Sequence, residues 1–302
     1  MIVPKCTLPF RTSTGYGETP LSELLTSIND TSGLSEPVGH VSDFINDTSD
    51  LSVEGLSKER LLHYAGRDTF PIPATADREG YTGNAHGQFW LNGLRDYFSI
   101  KKSCDSLNIN LDNARVIDLG GATGRVLRHI VSNHKNVDAY IAELNRKHVE
   151  WIRKHAWPKI KAFQNTTFPH LPFEDDSVDL VTAFSVFTHV DYHAEALILE
   201  IRRLLRPGGL AYLTIHSEDT WRTRNGTLVH LLKEYPGYNA FSEQNPVDLP
   251  VPYHAFRLNN NPYLCMVFQT HEWTQKNWGA FFSSCKIIDR MHGTHAVVLL
   301  TK

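Results

Sequence analysis

Residues 115–130, RVIDLGGATGRVLRHI, constrain this chain most: a short apolar strand ends in an acid, passes through a glycine-rich turn and continues into an amphipathic helix. A strand this short and apolar has to be buried. Gly120, Gly121 and Gly124 let the backbone turn tightly and approach a ligand where a Cβ would clash. Free N–H groups at the start of the following helix then face the ligand. This is the pattern of a nucleotide-binding βα turn. The dinucleotide frame G-x-G-x-x-G fails in both registers, because from Gly120 the third and sixth positions are Ala122 and Arg125, and from Gly121 they are Thr123 and Val126.

The chain has 302 residues, 41% of them hydrophobic, enough for one large core plus an accessory layer. A net charge of −3, with no Lys/Arg run beyond Arg202–Arg203 and Lys101–Lys102, offers no basic field for phosphates, so nucleic acid is not an expected partner. Cys6, Cys104, Cys265 and Cys285 share no paired spacing, and the first residues lack the apolar core of a secretory signal. A cytoplasmic location is the expectation, with the sequons at Asn29, Asn46, Asn165 and Asn225 incidental. No apolar run reaches the roughly 18 residues of a membrane span.

Three zones follow one another. Residues 1–84 form an extension containing a duplication, INDTSGLS at 28–35 and INDTSDLS at 45–52, with a period of 17 that Pro20 and Pro37 keep. Each copy predicts a short helix with proline near its first turn, carrying Leu21, Leu24, Leu25 and Ile28 or Val38, Val41, Phe44 and Ile45, and ending in an Asn-Asp-Thr-Ser turn. Two copies are too few for a solenoid; packing on the main domain is the simpler expectation, and docking of a protein partner or a second copy of the chain the other.

Residues 85–302 form the main domain. A helix at 88–107 precedes strands at 115–119, 137–143, 160–165, 178–185 and 209–215, with helices at 145–156 and 192–205, a pattern that predicts a doubly wound α/β sheet. Pro207, Gly208 and Gly209 are expected to stop the long helix and turn the chain into the next strand. Residues 217–270 interrupt the alternation after the fifth strand and carry Trp221, Tyr235, Tyr238, Phe241, Tyr253, Phe256, Tyr263 and Phe268, which predicts a folded insertion. A helix at 271–282 and an antiparallel hairpin, 285–290 and 295–301, close the sheet.

The runs VIDLGGATGR, FPHLPFEDDSVDLVTAFSVFTHV and EIRRLLRPGGLAYLTIH, the acid Glu143 closing the second strand and the terminal hairpin together resemble class I S-adenosylmethionine-dependent methyltransferases, over about 85–216 and 271–302. SVFTHV followed by LLRPGGLAYLTIH is most similar to a bacterial group acting on small molecules. One departure stands out: the middle glycine of the family's G-x-G-x-G turn is Ala122 here. The resemblance implies a Rossmann-like seven-stranded sheet with S-adenosyl-L-methionine as cofactor. It implies that Gly120, Gly121 and Gly124 cradle the methionine part, Asp118 accepts from its ammonium group, and Asn165 lies near the adenine. Phe184 and Ser185 would close the fourth strand beside the sulfonium. Glu143, 19 residues past Gly124, is where a carboxylate can accept both ribose hydroxyls.

Methyl transfer is an in-line displacement, helped mainly by positioning and, for a hydroxyl acceptor, by a base near neutrality. His189 follows the fourth strand and His216 ends the fifth, both at the carboxyl edge where ligands bind in open α/β folds. His216, leading into the aromatic insertion, is the preferred base; His189 is the competitor, with bonding to a backbone carbonyl as its structural role. Asp191 and Asp219 are too few and too widely spaced for a hard-cation site, so no metal is expected. The expected function is a small-molecule methyltransferase acting on oxygen, on a sugar, lipid or natural product, with 217–270 as an aromatic acceptor cap. An N-methyltransferase, a peptide or protein methyltransferase, and a non-catalytic cofactor-binding scaffold docking a partner through 20–52 are the alternatives.

Overall fold

A computed structural model of the chain describes residues 7–9, 18–20, 33–45, 56–258 and 265–302. Contacts divide the chain into two units, Leu24–Asn165 and Met1–Glu23 with Thr166–Lys302.

At the N-terminus, β1 (Thr7–Pro9) and β2 (Glu18–Pro20) pair antiparallel, so Pro20 belongs to a strand and not to a helix start. The first duplicated copy beyond it, 21–32, lies outside the described residues. In the second copy the predicted helix shrinks to one turn, Ser42–Ile45. The reason is Gly39, at φ +131°, in β3 (Gly39–His40), which pairs with β4 (Pro71–Ile72). Val41 and Ile45 of the apolar stripe are buried, whereas Val38 stays on the surface. The turn that follows, 46–49, is again outside the described residues.

The first unit continues with helix Lys58–Arg67, capped by the Ser57 hydroxyl, which accepts from the Arg60 N–H at 3.3 Å. The long helix His86–Ser106 buries Phe89, Trp90, Leu94, Tyr97 and Ile100 at helical spacing. It lies tightly on the chain after the glycine turn, since a Cβ on Gly93 would stand 2.1 Å from the Arg125 carbonyl oxygen. Three parallel strands then follow: β5 (Arg115–Leu119), β6 (Asp138–Glu143) and β7 (Ile160–Gln164), in the order β5-β6-β7. Helices Leu127–Asn133 and Arg146–His155 connect them, and Asn145 caps the second through its side chain.

The second unit contributes β8 (Val178–Ala183), β9 (Leu205–Ile215), β12 (Ser284–His292) and β13 (His295–Thr301) in the order β12-β13-β9-β8. Only β13 runs against its two neighbours. The sheet is therefore seven-stranded, mostly parallel, with a C-terminal antiparallel pair. One expected boundary moves: β9 begins at Leu205, not at Gly209, because Pro207–Gly208–Gly209 forms an irregularity inside the strand. Gly209 has no room for a side chain there, with Arg206 and Val178 carbonyls 3.0 and 3.1 Å from a built Cβ.

The insertion folds as helices Glu218–Thr223, Gly226–Leu232 and Tyr238–Gln244, followed by the antiparallel pair β10 (Tyr253–Arg257) and β11 (Cys265–Gln269). Most of its described aromatics go inward. Trp221, Tyr238, Phe256 and Phe268 are buried with Leu228, Leu232 and Met266 in a core of their own, and Tyr235 and Phe241 pack against it. Six of the eight rings thus pack within the insertion, which gives a segment of three short helices and a strand pair the apolar material for a core. Among the described residues, no helix is long and apolar enough to cross a membrane.

Candidate active site

The glycine turn after β5 holds three left-handed residues, Gly120 (φ +66°), Ala122 (φ +46°) and Gly124 (φ +78°). Gly121 is needed for space: a Cβ there would lie 2.7 Å from Asp118 Oδ2, so its absence lets the buried Asp118 carboxylate fold back over the turn. Ala122 keeps a Cβ in a conformation that costs an L-residue about 1–2 kcal/mol. Part of that is offset because glycine has more unfolded-state freedom to lose, so Ala122→Gly is expected to stabilise the protein by about 0.5–1 kcal/mol. A urea midpoint that stays put or falls in this variant would show that the turn holds alanine without strain.

Glu143, at the end of β6, is buried beside this turn. Its Oε2 accepts from the Ala122 N–H at 2.9 Å and its Oε1 from the Asn145 N–H at 3.0 Å. Burial alone would raise its pKa, but His148 and the two backbone donors hold it below the ordinary carboxylate value, so it is ionised at neutral pH. Asn165 donates its backbone N–H to the Glu143 carbonyl at 3.0 Å, which brings the two predicted residues to adjacent strand ends. Among the described residues, Thr123 Oγ1 and Asn165 Oδ1 are buried without a hydrogen-bond partner. Polar atoms left so are costly unless a ligand meets them. An ionised acid oriented by two N–H groups, a turn open to close approach and unmet polar atoms fit the hydroxyls and polar atoms of an adenosyl cofactor.

In the second unit Phe184 and Ser185 follow β8. Ser185 is left-handed (φ +57°), with its N–H on Thr214 Oγ1 at 2.7 Å and its carbonyl accepting from the Thr188 hydroxyl at 2.8 Å. Phe184 packs against Tyr212 and His292, with ring centroids 5.6 and 5.0 Å apart. His189 Nδ1 lies 2.8 Å from the Cys265 carbonyl. A carbonyl only accepts, so Nδ1 carries the proton and Nε2 keeps its lone pair. The same β11 strand holds the end of β9, since Gln269 donates its N–H to the His216 carbonyl at 3.0 Å.

His216 does not present itself as the sequence suggests. Its ring is 2% exposed, stacked on Phe268 and 3.1 Å from His295 Nε2. Burial, then the neighbouring His295 and His189, push its pKa well below that of a free imidazole, whereas burial lowers that of His189 against the opposing hydrogen bond to the Cys265 carbonyl, so His216 is the more strongly depressed base of the two. Asp191 and Asp219, the carboxylates weighed as metal ligands, are both engaged by arginine. Asp191 accepts from Tyr253 Oη at 2.8 Å and pairs with Arg257, and Arg290 grips Asp219 at 2.6 and 2.7 Å. Inspection of the sequence alone misses His148 and Thr123. The available signal was position: Thr123 is inside the glycine turn, and His148 is one helical turn past the Asn145 cap.

Residues 117–213 match the family described as "Methyltransferase domain". The demethylmenaquinone methyltransferase of Chlamydia trachomatis is 29% identical over 94 residues, 31% of this chain and 41% of that protein. A ubiquinone/menaquinone biosynthesis C-methyltransferase of Bartonella quintana is 31% identical over 104 residues, 33% and 40% of the two chains. The chain thus matches about two fifths of the length of these curated relatives. Among solved structures, the 1,6-didemethyltoxoflavin-N1-methyltransferase of Burkholderia thailandensis, with 1,6-didemethyltoxoflavin and S-adenosylhomocysteine bound, has a TM-score of 0.46 at 13% identity, over 83% of this chain and 93% of that one. An S-adenosylmethionine-dependent methyltransferase of Mesorhizobium loti has a TM-score of 0.45 at 13% identity, over 68% and 98%. The segment 117–213 is a methyltransferase domain.

Proposed function

We propose that the chain transfers the methyl group of S-adenosylmethionine to a small-molecule acceptor, with oxygen as the accepting atom. The observation that carries the reading is Glu143, ionised and oriented by the Ala122 and Asn145 N–H groups beside a left-handed glycine turn. When bound, the cofactor supplies a methyl group on a sulfonium that leaves as a neutral thioether. Glu143 is assigned to the ribose hydroxyls, Asp118 to the ammonium group, and Thr123 and Asn165 to polar atoms of the cofactor. An acceptor X–H becomes X–CH3 and releases one proton. His189 is assigned to take it, since its protonated Nδ1 is fixed on the Cys265 carbonyl and Nε2 is the basic atom. Phe184 and Ser185 are assigned to the methyl-bearing side of the site.

Carbon is the second reading for the acceptor. It is favoured by the names of the curated relatives, which are quinone methyltransferases and in one case C-methyltransferase. The insertion 217–270 serves as a scaffold: its β11 strand fixes Thr188 and His216 through main-chain hydrogen bonds and His189 through its ring. The test is methyl-labelled S-adenosylmethionine with panels of phenols, sugar alcohols and quinols. Label is expected to move to a hydroxyl oxygen with one S-adenosylhomocysteine formed per methyl; label on a ring carbon selects the second reading. Cofactor binding with no transfer to any panel would favour the scaffold alternative.

A further inference from the structure

The side chain of His148 is 5% exposed and stands between two carboxylates. Its Nδ1 is 3.8 Å from Glu143 Oε2 and its Nε2 is 3.7 Å from Glu79 Oε1. Both separations are those of an ion pair without a close hydrogen bond. Glu79 is itself a built feature: it adopts the left-handed conformation (φ +52°) just after the helical turn Thr75–Arg78 and accepts from Asn145 Nδ2 at 3.1 Å. Asn145 thus donates to both acids, through its backbone to Glu143 and through its amide to Glu79. Next to it, Lys147 reaches the wholly buried Asp77 at 2.9 Å, and the Ser35 N–H also reaches Asp77, at 3.0 Å. The start of helix Arg146–His155 therefore grips the segment around Glu79 at three residues in a row or nearly so, Asn145, Lys147 and His148.

We propose that the imidazolium of His148, bridging Glu143 and Glu79, is a positioning group for the cofactor: it holds the ribose-binding acid in its accepting orientation and draws the segment around Glu79 onto it. This rests on the assignment of Glu143 to the cofactor. The charged groups facing His148 are Glu143 and Glu79, which favour its protonated form, and Lys147, which opposes it. Burial also opposes protonation, yet the net direction is upward from the ordinary imidazole value. The bridge is present at acid and neutral pH and is lost as pH rises through the raised value, leaving two ionised acids without a cation between them. Cofactor affinity should fall over the same range.

Calorimetric titration of the whole chain with S-adenosylhomocysteine from pH 6 to 8.5 tests this. The dissociation constant of the unmodified protein is expected to rise about tenfold, the change that one pK unit of linkage produces. His148→Gln should bind more weakly at pH 6 and show little pH dependence. Because His148 is buried and that variant could fold poorly, Glu79→Gln provides the second arm: its side chain is 64% exposed, so the fold should tolerate it, and most of the pH dependence should vanish. Titration of the ligand's own ammonium group is common to all three proteins and cancels in the comparison. A flat profile in the unmodified protein, or a full tenfold dependence retained in Glu79→Gln, overturns the bridge while leaving the cofactor assignment standing. Absence of binding at every pH overturns both.

Discussion

Asp68→Asn is expected to cost about 3–5 kcal/mol, because it leaves a buried guanidinium without its counter-charge. Asp68 and Arg128 are 1% and 2% exposed, joined at 2.7 and 3.1 Å. Trp90 Nε1 donates to the same carboxylate at 2.7 Å and the Phe70 N–H at 2.9 Å, while Arg128 also donates to the Phe70 and Pro71 carbonyls. One acid thus ties the segment before the long helix to the helix after the glycine turn. Burial acting alone would raise its pKa, but the charge and hydrogen bonds of Arg128 prevail and hold it below the usual value. A depressed carboxylate adds stability above its unfolded pKa of about 3.9, and that contribution is lost as pH falls through the folded value. In urea denaturation, the variant should show a lower midpoint at pH 7 and a shallower loss of stability below about pH 4. A midpoint within about 1 kcal/mol of the original protein would contradict this reading of the network.

The second large effect is on turnover. His189→Asn preserves an N–H donor for the Cys265 carbonyl while removing the basic Nε2, and it should lower methyl transfer to a hydroxyl acceptor by about 10²–10⁴ with cofactor affinity unchanged. His216→Gln should cost much less, since His216 is buried and its pKa is pushed well down. Single-turnover rates with saturating cofactor separate the two. Loss of turnover in His216→Gln with retention in His189→Asn would restore the order that strand-end position alone suggests.

Residues 115–164 were legible from sequence because the information there is local: an apolar strand, glycines at a turn, helical periodicity and an acid at a strand end all point the same way. β5 and β13 appear with the expected boundaries, and the other sheet strands with shifts of a few residues. What could not be read depends on distant partners. The eight aromatics of 217–270 carry no mark distinguishing a cavity lining from a core, and the burial of Trp221, Tyr238, Phe256 and Phe268 with one another follows from how little else that segment has to bury. His216 sits at the expected strand end, yet Phe268 and His295, 52 and 79 residues later, decide that it is buried. The pairing of Asp68 with Arg128 spans 60 residues and follows no periodicity. In the duplicated copy, Gly39 defeats the helix because a strand partner at Ile72 makes extended backbone worth adopting.

The central claim is that Glu143 and the glycine turn hold S-adenosylmethionine, and calorimetry with S-adenosylhomocysteine on the original chain and on Glu143→Ala tests it most directly. The original chain should bind, and the variant should lose about 1–3 kcal/mol, or roughly five- to 150-fold in affinity, as charge-assisted hydrogen bonds to the ribose are removed. Binding of NAD or a flavin in place of S-adenosylhomocysteine, or equal affinity in Glu143→Ala, would contradict it.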